Sequence, residues 1–390
     1  MDPWLFSGAC CLTGLGLVIV YSAGAWLGKT QHGSWEYFLL RQGSFLALGL
    51  LTLLLTSRID YRVLRRFAPK LMLLAMCALV LVLFIGQDIN GARRWIRLGP
   101  ISLQPSEPAK LALTMFLAAT LARQGERVRT FTTGFLPVTI AASLTMLLVL
   151  LERDLGTTIL MGGLTLTMLF VAGTRLTYVA AAIMIAAPIV WYQIVGVEFR
   201  RARLEEFMSS DGYQVQQSLI AIGSGGWFGL GLGNGRQKLG HLPENHTDFV
   251  LAAIGEELGL VGIAAVIVLF SLLVWRGLVI ARNAPDRFGT YLASGLSTLF
   301  GLQTIVNVAV VLEIVPAKGI TLPFLSYGGS SLLTSMLAAG VLLSVSRRPR
   351  PWRWSDERTP RRDRLPSRTT SNRANTRKPP GPVSSFCADS

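Results

Sequence analysis

The chain has 390 residues, 51% of them hydrophobic and only 15% charged, with a formal net charge of +15. A soluble domain carries about 25% charged residues. This depletion, with the apolar residues gathered in long blocks, excludes an ordinary soluble enzyme and points to a multi-span integral membrane protein.

A helix needs about 20 apolar residues to cross a hydrocarbon core about 30 Å thick. In chain order, the blocks predict spans near 4–26, 38–56, 70–86, 109–122, 134–151, 157–173, 177–195, 249–274, 289–311 and 322–345. The first block has no basic stretch before it and no A-x-A site after it, so it reads as a retained span. The fourth looks short and is expected to tilt or start deeper. Cys10, Cys11 and Cys77 lie inside apolar blocks and Cys387 lies in the tail, without metal-ligand or CxxC spacing.

Orientation follows from Lys and Arg in short loops. Basic loops near 57–70 (Arg58, Arg62, Arg65, Arg66, Lys70), 123–133 and 275–288 alternate with less basic ones. They fall on the same side as residues 347–390, which hold twelve Lys and Arg against four Asp and Glu, or +8. That tail follows a span, so it marks the cytoplasmic side rather than a nucleic-acid site. The exception is 87–108, with Arg93, Arg94 and Arg97 on the predicted outside. A second long outer loop, 196–247, separates spans seven and eight. Its apolar and aromatic residues, among them Phe199, Phe207, Tyr213 and Trp227, predict short interfacial helices near 198–208 and 212–222. No internal repeat is evident. The expected fold is all-α with ten transmembrane helices and both termini cytoplasmic. A membrane domain over 1–346 precedes a disordered basic tail over 347–390.

Three outside-facing segments collect most of the unusual polar residues: 90–110, 242–257 and 316–331. Ser106 is a plausible N-cap and Pro108 suits a first turn, so Lys110 sits near a helix N-terminus. That is an anion site, although a lysine snorkelling to the interface reads equally well. Arg93 and Arg94 could clamp the same anion or be solvated loop charges. Asp248, where the outer loop meets span eight, is either a helix cap or a partly desolvated general base. Glu256 and Glu257 are intramembrane carboxylates, and these are functional candidates by default. At about 100° per residue Glu256 falls on the Asp248 side and Glu257 opposite. Glu256 is therefore expected to face the Asp248 cavity, and Glu257 to pair with another helix. Asp154 favours a capping role at the start of span six. The glycine-rich 223–235 lacks the βαβ context of a nucleotide loop and reads as a tight turn. With only His32, His241 and His246 in the chain, no Ser/His/Asp triad, zinc or haem pattern can be argued.

Together, Gln104-Pro105-Ser106-Glu107-Pro108-Ala109-Lys110, the strings His246-Thr247-Asp248-Phe249 and Gly255-Glu256-Glu257, and Leu322-Pro323-Phe324-Leu325-Ser326-Tyr327-Gly328-Gly329-Ser330-Ser331 resemble the SEDS family of division, elongation and sporulation membrane proteins. The likeness covers about residues 3–347. Gly255-Glu256-Glu257 and Pro316-Ala317-Lys318-Gly319 lie closer to the division branch. The resemblance implies a ten-helix fold and a peptidoglycan glycosyltransferase polymerising lipid II at the outer face of the plasma membrane. Its donor would be an undecaprenyl-pyrophosphate-linked glycan. Its partners would be a class B penicillin-binding protein and other divisome proteins at the septum. It implies that Asp248 is catalytic and that Lys110 binds substrate. Arg93, Arg94, Gln104, Ser106, Glu107, Asp154, His246, Glu256, Lys318 and Ser330 are expected to help hold the substrate and its pyrophosphate. No covalent cofactor is expected, and a divalent cation, Mg or Mn, is the one that could assist. Glu152-Arg153, Asn245 and Glu313 depart from the family pattern. A lipid II flippase, an elongation-type polymerase and a scaffold for a synthase are the rival readings. A transporter often shows inverted repeats, and none is found.

Overall fold

The computed structural model describes residues 1–89, 92–99, 101–209, 212–237, 246–316 and 318–347. Asn90, Gly91, His241, Asn245, Ala317 and the basic tail beyond Arg347 lie outside the described residues.

The described chain is mostly helical. Its long helices are α1 (Pro3–His32), α2 (Tyr37–Arg58), α3 (Tyr61–Ile85), α4 (Ser106–Gln124), α5 (Leu136–Leu151), α6 (Leu155–Val171), α7 (Leu176–Val195), α10 (Val250–Arg282), α11 (Arg287–Val311) and α12 (Gly329–Ser346). Two shorter helices, α8 (Glu198–Ser209) and α9 (Tyr213–Gly225), lie in the long loop close to their predicted positions. Eight of the helices are long and apolar enough to cross a membrane. The other two long helices are α4, which carries Glu107, Lys110 and Arg123, and α6, which has 17 residues. Thirteen of the nineteen α4 residues are buried, and α4 packs against α3, α5, α6, α11 and α12. An interior helix faces protein rather than lipid, so it tolerates polar residues that a peripheral one could not.

The ends of these helices correct the sequence reading in three places. Residues 57–70 are not a loop. Asp60 accepts a hydrogen bond from the Arg62 N–H (3.0 Å), and α3 starts at Tyr61. Tyr61, Ala68 and Met72 face inward, while Arg62, Arg65, Arg66 and Lys70 stay exposed. Three short strands, β1 (Gln87–Ile89), β2 (Ala92–Leu98) and β3 (Ile101–Leu103), form a small antiparallel sheet in the order β1-β2-β3. Asp88 pairs with Arg93 and Ile96 with Leu103. The last helix begins at Gly329, not near 322. Before it, the Leu322 N–H donates to Ser326 Oγ (2.8 Å) and the Ser326 N–H to the Leu322 carbonyl (3.1 Å), closing a tight turn.

One end of the bundle is tied by charge. Arg276 of α10 pairs with Asp2, whose carboxylate also caps α1 by accepting from the Leu5 N–H (3.1 Å). Tyr61 and Arg62 both donate to Asp286, the cap of α11.

The opposite end is shaped by a break in α10 at Gly259 (φ 69°, ψ −166°). The break leaves four backbone groups without intrahelical partners, and the glycine-rich segment after α9 supplies them. Leu260 and Val261 donate to the Gly226 and Trp227 carbonyls (2.9 and 3.2 Å). The Glu256 and Glu257 carbonyls accept from Leu230 and Gly231 (2.9 and 3.0 Å). The predicted tight turn is therefore a strap built into the helix.

A Cβ on Gly259 would lie 2.4 Å from the Gly229 nitrogen and 2.5 Å from the Trp227 oxygen. Gly259→Ala should therefore lower stability by about 1–3 kcal/mol from backbone strain alone, before any loss of the strap. Thermal unfolding in detergent checks this, with Gly8→Ala, which meets open space, as the comparison.

Candidate active site

At the end of the bundle opposite Asp2, a cavity of about 830 Å³ opens between the ends of α5 and α7, the start of α6, α8, strand β2 and the residues Pro316, Lys318 and Gly319. Arg94, Arg153, Arg200, Arg203 and Lys318 line it. Their charges press on one another. Burial, then the neighbouring Arg94 and Arg153, lower the Arg200 pKa. Burial, then Arg200, lower that of Lys318. Burial also lowers that of Arg203, with Glu206 and Asp248 opposing. Cations crowded this way favour an anionic occupant.

Asp248 stands beside this cavity. It is half-buried just before α10. A Cβ on the cavity residue Gly319 would lie 3.0 Å from its Oδ2. Only a glycine keeps the carboxylate so close to the 318–319 main chain. Asn307 of α11 donates to both the Asp248 and Ile320 carbonyls (2.9 Å each), which pins the two segments together. Asp248 is thus set by main-chain bonds, with its charge felt by Arg203 across the cavity.

Strand geometry separates Arg93 from Arg94, because successive side chains point to opposite faces. Arg94 lies over the α5–α6 turn and donates to the Glu152 and Arg153 carbonyls (3.3 and 2.7 Å). Arg93 is exposed and donates to the Leu83 carbonyl. The two do not clamp one anion. Asp154 lines the cavity as well, but both its oxygens hold Thr157 (3.0 and 2.9 Å), so capping α6 is its local task.

Lys110 is buried, with 3% side-chain exposure, and is not snorkelling. Its Nζ lies 2.8 Å from Glu107 Oε1, one turn back on α4. Ser106 is the first helical residue rather than the cap, since α4 starts one position earlier than the sequence suggested. The Gln104 carbonyl takes the Glu107 N–H (3.1 Å). Ser106 and Ser330 are both buried with hydroxyls that have no partner among the described residues. They open α4 and α12, which pack together. His246 packs its ring on Phe38 and Tyr327 (centroids 5.0 and 5.4 Å), and its carbonyl accepts from the Tyr327 N–H (2.8 Å). Among the described residues lining the cavity, none of these six appears.

Glu256 does not face the cavity either. Its carboxylate accepts from the Arg236 and Gln237 N–H groups (2.6 and 3.1 Å) and fixes the end of the strap. The helical-wheel argument fails because Asp248 precedes α10 and is not on its wheel. Glu257 does reach another helix, accepting from Ser22 of α1 (2.5 Å). Sequence reasoning missed Arg153, Arg200 and Arg203. The i, i+3 spacing of the last two on a predicted helix puts them on one face, which was the available signal.

A sequence model for the family described as "Cell cycle protein" (FtsW, RodA, SpoVE) matches residues 3–350. The chain belongs to the FtsW/RodA/SpoVE family. A probable peptidoglycan glycosyltransferase FtsW of Trichlorobacter lovleyi is 44% identical over 343 residues, covering 86% of this chain and 90% of that protein. Stage V sporulation protein E of Bacillus subtilis is 39% identical over 341 residues, covering 85% and 93%. Among solved structures, a chain of a peptidoglycan synthase complex superposes with TM-score 0.72 at 29% identity, covering 88% of this chain and 96% of that one. The rod shape determining protein RodA of Thermus thermophilus gives TM-score 0.67 at 30% identity, covering 88% and 95%. In this FtsW/RodA/SpoVE chain, the three segments that carried the resemblance lie at one end of the bundle, the end that holds the cavity.

Removing the Glu256 carboxylate should free the strap while sparing the cavity. Glu256→Ala is expected to speed tryptic cleavage at Arg236 severalfold, and Asp248→Asn should leave it unchanged. Limited proteolysis followed by mass spectrometry reads both.

Proposed function

We propose that this chain is a peptidoglycan glycosyltransferase that polymerises lipid II in septal wall synthesis at the outer face of the plasma membrane. The observation that carries the reading is a carboxylate, Asp248, set beside a cavity lined by five cations. Arg58, Arg62, Arg65, Arg66 and Lys70 lie at the other end of the bundle. Clustered around the short α2–α3 connection, these cations support placing that end and both termini in the cytoplasm, with the cavity outside. The relatives named as glycosyltransferases and the solved synthase complex support the chemistry, and that complex, named for polymerization and crosslinking, supports a crosslinking partner, which we propose is a penicillin-binding protein of class B.

In the reaction, the 4-hydroxyl of the acceptor sugar attacks C1 of the donor glycan. The new C1–O bond forms as the bond from C1 to the undecaprenyl pyrophosphate breaks. The hydroxyl proton passes to Asp248, and the leaving electron pair stays on the pyrophosphate oxygen. Arg94, Arg200, Arg203 and Lys318 neutralise that growing charge, and fixed cations need no reorganisation to do so. Lys110 acts one layer away, keeping the start of α4 in place through Glu107.

A divalent cation would have to come with the pyrophosphate. Among the described residues no three His, Cys, Asp or Glu side chains group as a metal cage, and both Asp154 oxygens already accept from Thr157. The donor set does not fit a resident metal, so no step is assigned to one.

A positioned base is worth about 10²–10⁴ in rate, so Asp248→Asn should lose that much polymerisation while still inserting in the membrane. Arg203→Ala should raise KM for lipid II by about tenfold or more, the cost of one charged hydrogen bond, with a smaller change in kcat. Purified protein with fluorescent lipid II, read on gels, checks both. Glycan ladders mean polymerase, transfer between leaflets without ladders means flippase, and neither means scaffold. Full-rate synthesis by Asp248→Asn would remove the base assignment.

A further inference from the structure

The turn between α5 and α6 holds an acid that the reaction above leaves unused. Glu152 ends α5 and is 1% exposed, and neither carboxyl oxygen has a hydrogen-bond partner among the described residues. Arg94 comes directly over this turn, yet its donors go to the main-chain carbonyls of Glu152 and Arg153 rather than to the carboxyl group. Arg153 follows in the left-handed region, at φ 64°, and then Asp154, engaged with Thr157. Arg94, Arg153 and Asp154 all line the cavity, and Glu152 lies behind them.

A carboxylate ion has about four acceptor sites. Burying one with none of them filled costs several kcal/mol, and such a group takes up a proton instead. The surroundings agree. Burial, reinforced by the negative charge of Asp154 and partly offset by Arg94, pushes the Glu152 pKa up to about 8. The charged groups facing it are Asp154 from the start of α6 and Arg94 from β2. Beyond them, Arg200 of α8 and Lys318 act on Asp154 across the cavity.

We propose that Glu152 is a positioning residue that gates anion binding in this cavity by its own protonation. As a neutral acid it leaves Arg94 on the 152–153 carbonyls and the positive field of the cavity intact. Once ionised it draws the Arg94 guanidinium to itself and places a negative charge behind the anion site. Affinity for a diphosphate is therefore full below the Glu152 pKa and falls as pH rises through it. The glycosyltransferase reading enters only in naming the natural anion, a lipid-linked pyrophosphate.

The test uses the full chain in detergent, with inorganic pyrophosphate as the probe in calorimetric titrations from about pH 6.5 to about pH 9. Burial and Arg200 also lower the Lys318 pKa, so the measurements are made in Lys318→Arg protein, with and without Glu152→Gln. The probe's own titration is common to both and cancels. Protein that keeps Glu152 should lose affinity by about tenfold per pH unit above the midpoint relative to protein carrying Glu152→Gln, if only the neutral form binds. Equal pH dependence in the two would overturn the gate. Infrared difference spectra of the unmodified protein provide a readout independent of binding and of the variant's folding. A protonated carboxylic-acid band should be present at neutral pH, disappear as pH rises through the Glu152 pKa and be missing in Glu152→Gln. Absence of that band at neutral pH would sink the neutral acid. If the band is present but neither protein binds pyrophosphate at any pH, the cavity is not an anion site. That result would remove both the gate and the reading beneath it.

Discussion

In a bilayer no water replaces a missing backbone partner, so any break in a spanning helix must be repaired by protein. The break at Gly259 is where this constraint organises the functional end of the molecule. Two carbonyls and two N–H groups of α10 are taken over by residues 226–231. The repair ties the long loop to α10 at the depth where the helix leaves its regular path. Glu256 extends the same repair by holding the N–H groups of Arg236 and Gln237. With the strap fixed, the start of α10 is fixed, and Asn307 then links the Asp248 carbonyl to that of Ile320. A carboxylate that looks like an isolated loop residue is held by α10, α11 and the 318–320 segment together.

Charge at this end is divided between two kinds of environment. Glu107 and Lys110 form a closed pair that is almost fully buried. Removing one partner of such a pair leaves a stranded charge and costs about 3–5 kcal/mol, so its first effect is on the position of α4. The cavity is the opposite case. Its cations lower one another's pKa, and its acid Asp154 is occupied with Thr157. Positive charge therefore stays in excess along its wall. Like charges that folding crowds together in a cleft are more readily explained by a ligand than by stability.

Much of the architecture was legible in the sequence, since long charge-poor blocks have few alternatives. The α8 and α9 helices were also readable, because apolar residues in a long loop require something to pack against. The misreadings share a cause: each concerned polar residues whose direction is set by local backbone. Arg93 and Arg94 lie on β2, whose Arg93-Arg94-Trp95-Ile96 run does not alternate polar and apolar, and its partners β1 and β3 are only three residues each, so the opposite faces of the two arginines were hidden. The basic run 62–70 looked like a loop because exposed arginines mask the inward spacing of Tyr61, Ala68 and Met72. The site residues fared likewise. Asp248, Arg94 and Lys318 meet at the cavity, whereas Glu256 and His246 have structural neighbours. Arg153, Arg200 and Arg203 went unread because they sit among other charges, Arg153 between Glu152 and Asp154 and the other two beside Arg201, Glu205 and Glu206, so composition does not show which of them turn inward.

The shape of the cavity wall adds a constraint that charge alone does not. Its lining mixes the apolar side chains of Leu147, Leu150 and Leu151 of α5 with the guanidinium groups of Arg94, Arg153, Arg200 and Arg203. Helix α7, which contributes Gln193 and Ile194, has no buried residue along its 20 positions. It therefore packs loosely against its neighbours. A free inorganic anion would use only the charged groups and would gain nothing from the leucines. A diphosphate joined to an apolar chain would use both, its charge on the arginines and its chain on the leucines of α5. Such a lining would favour an amphiphile over a simple anion before any sugar is read. The carboxylate of Asp248 then needs only to stand within reach of the sugar that such a lipid carries.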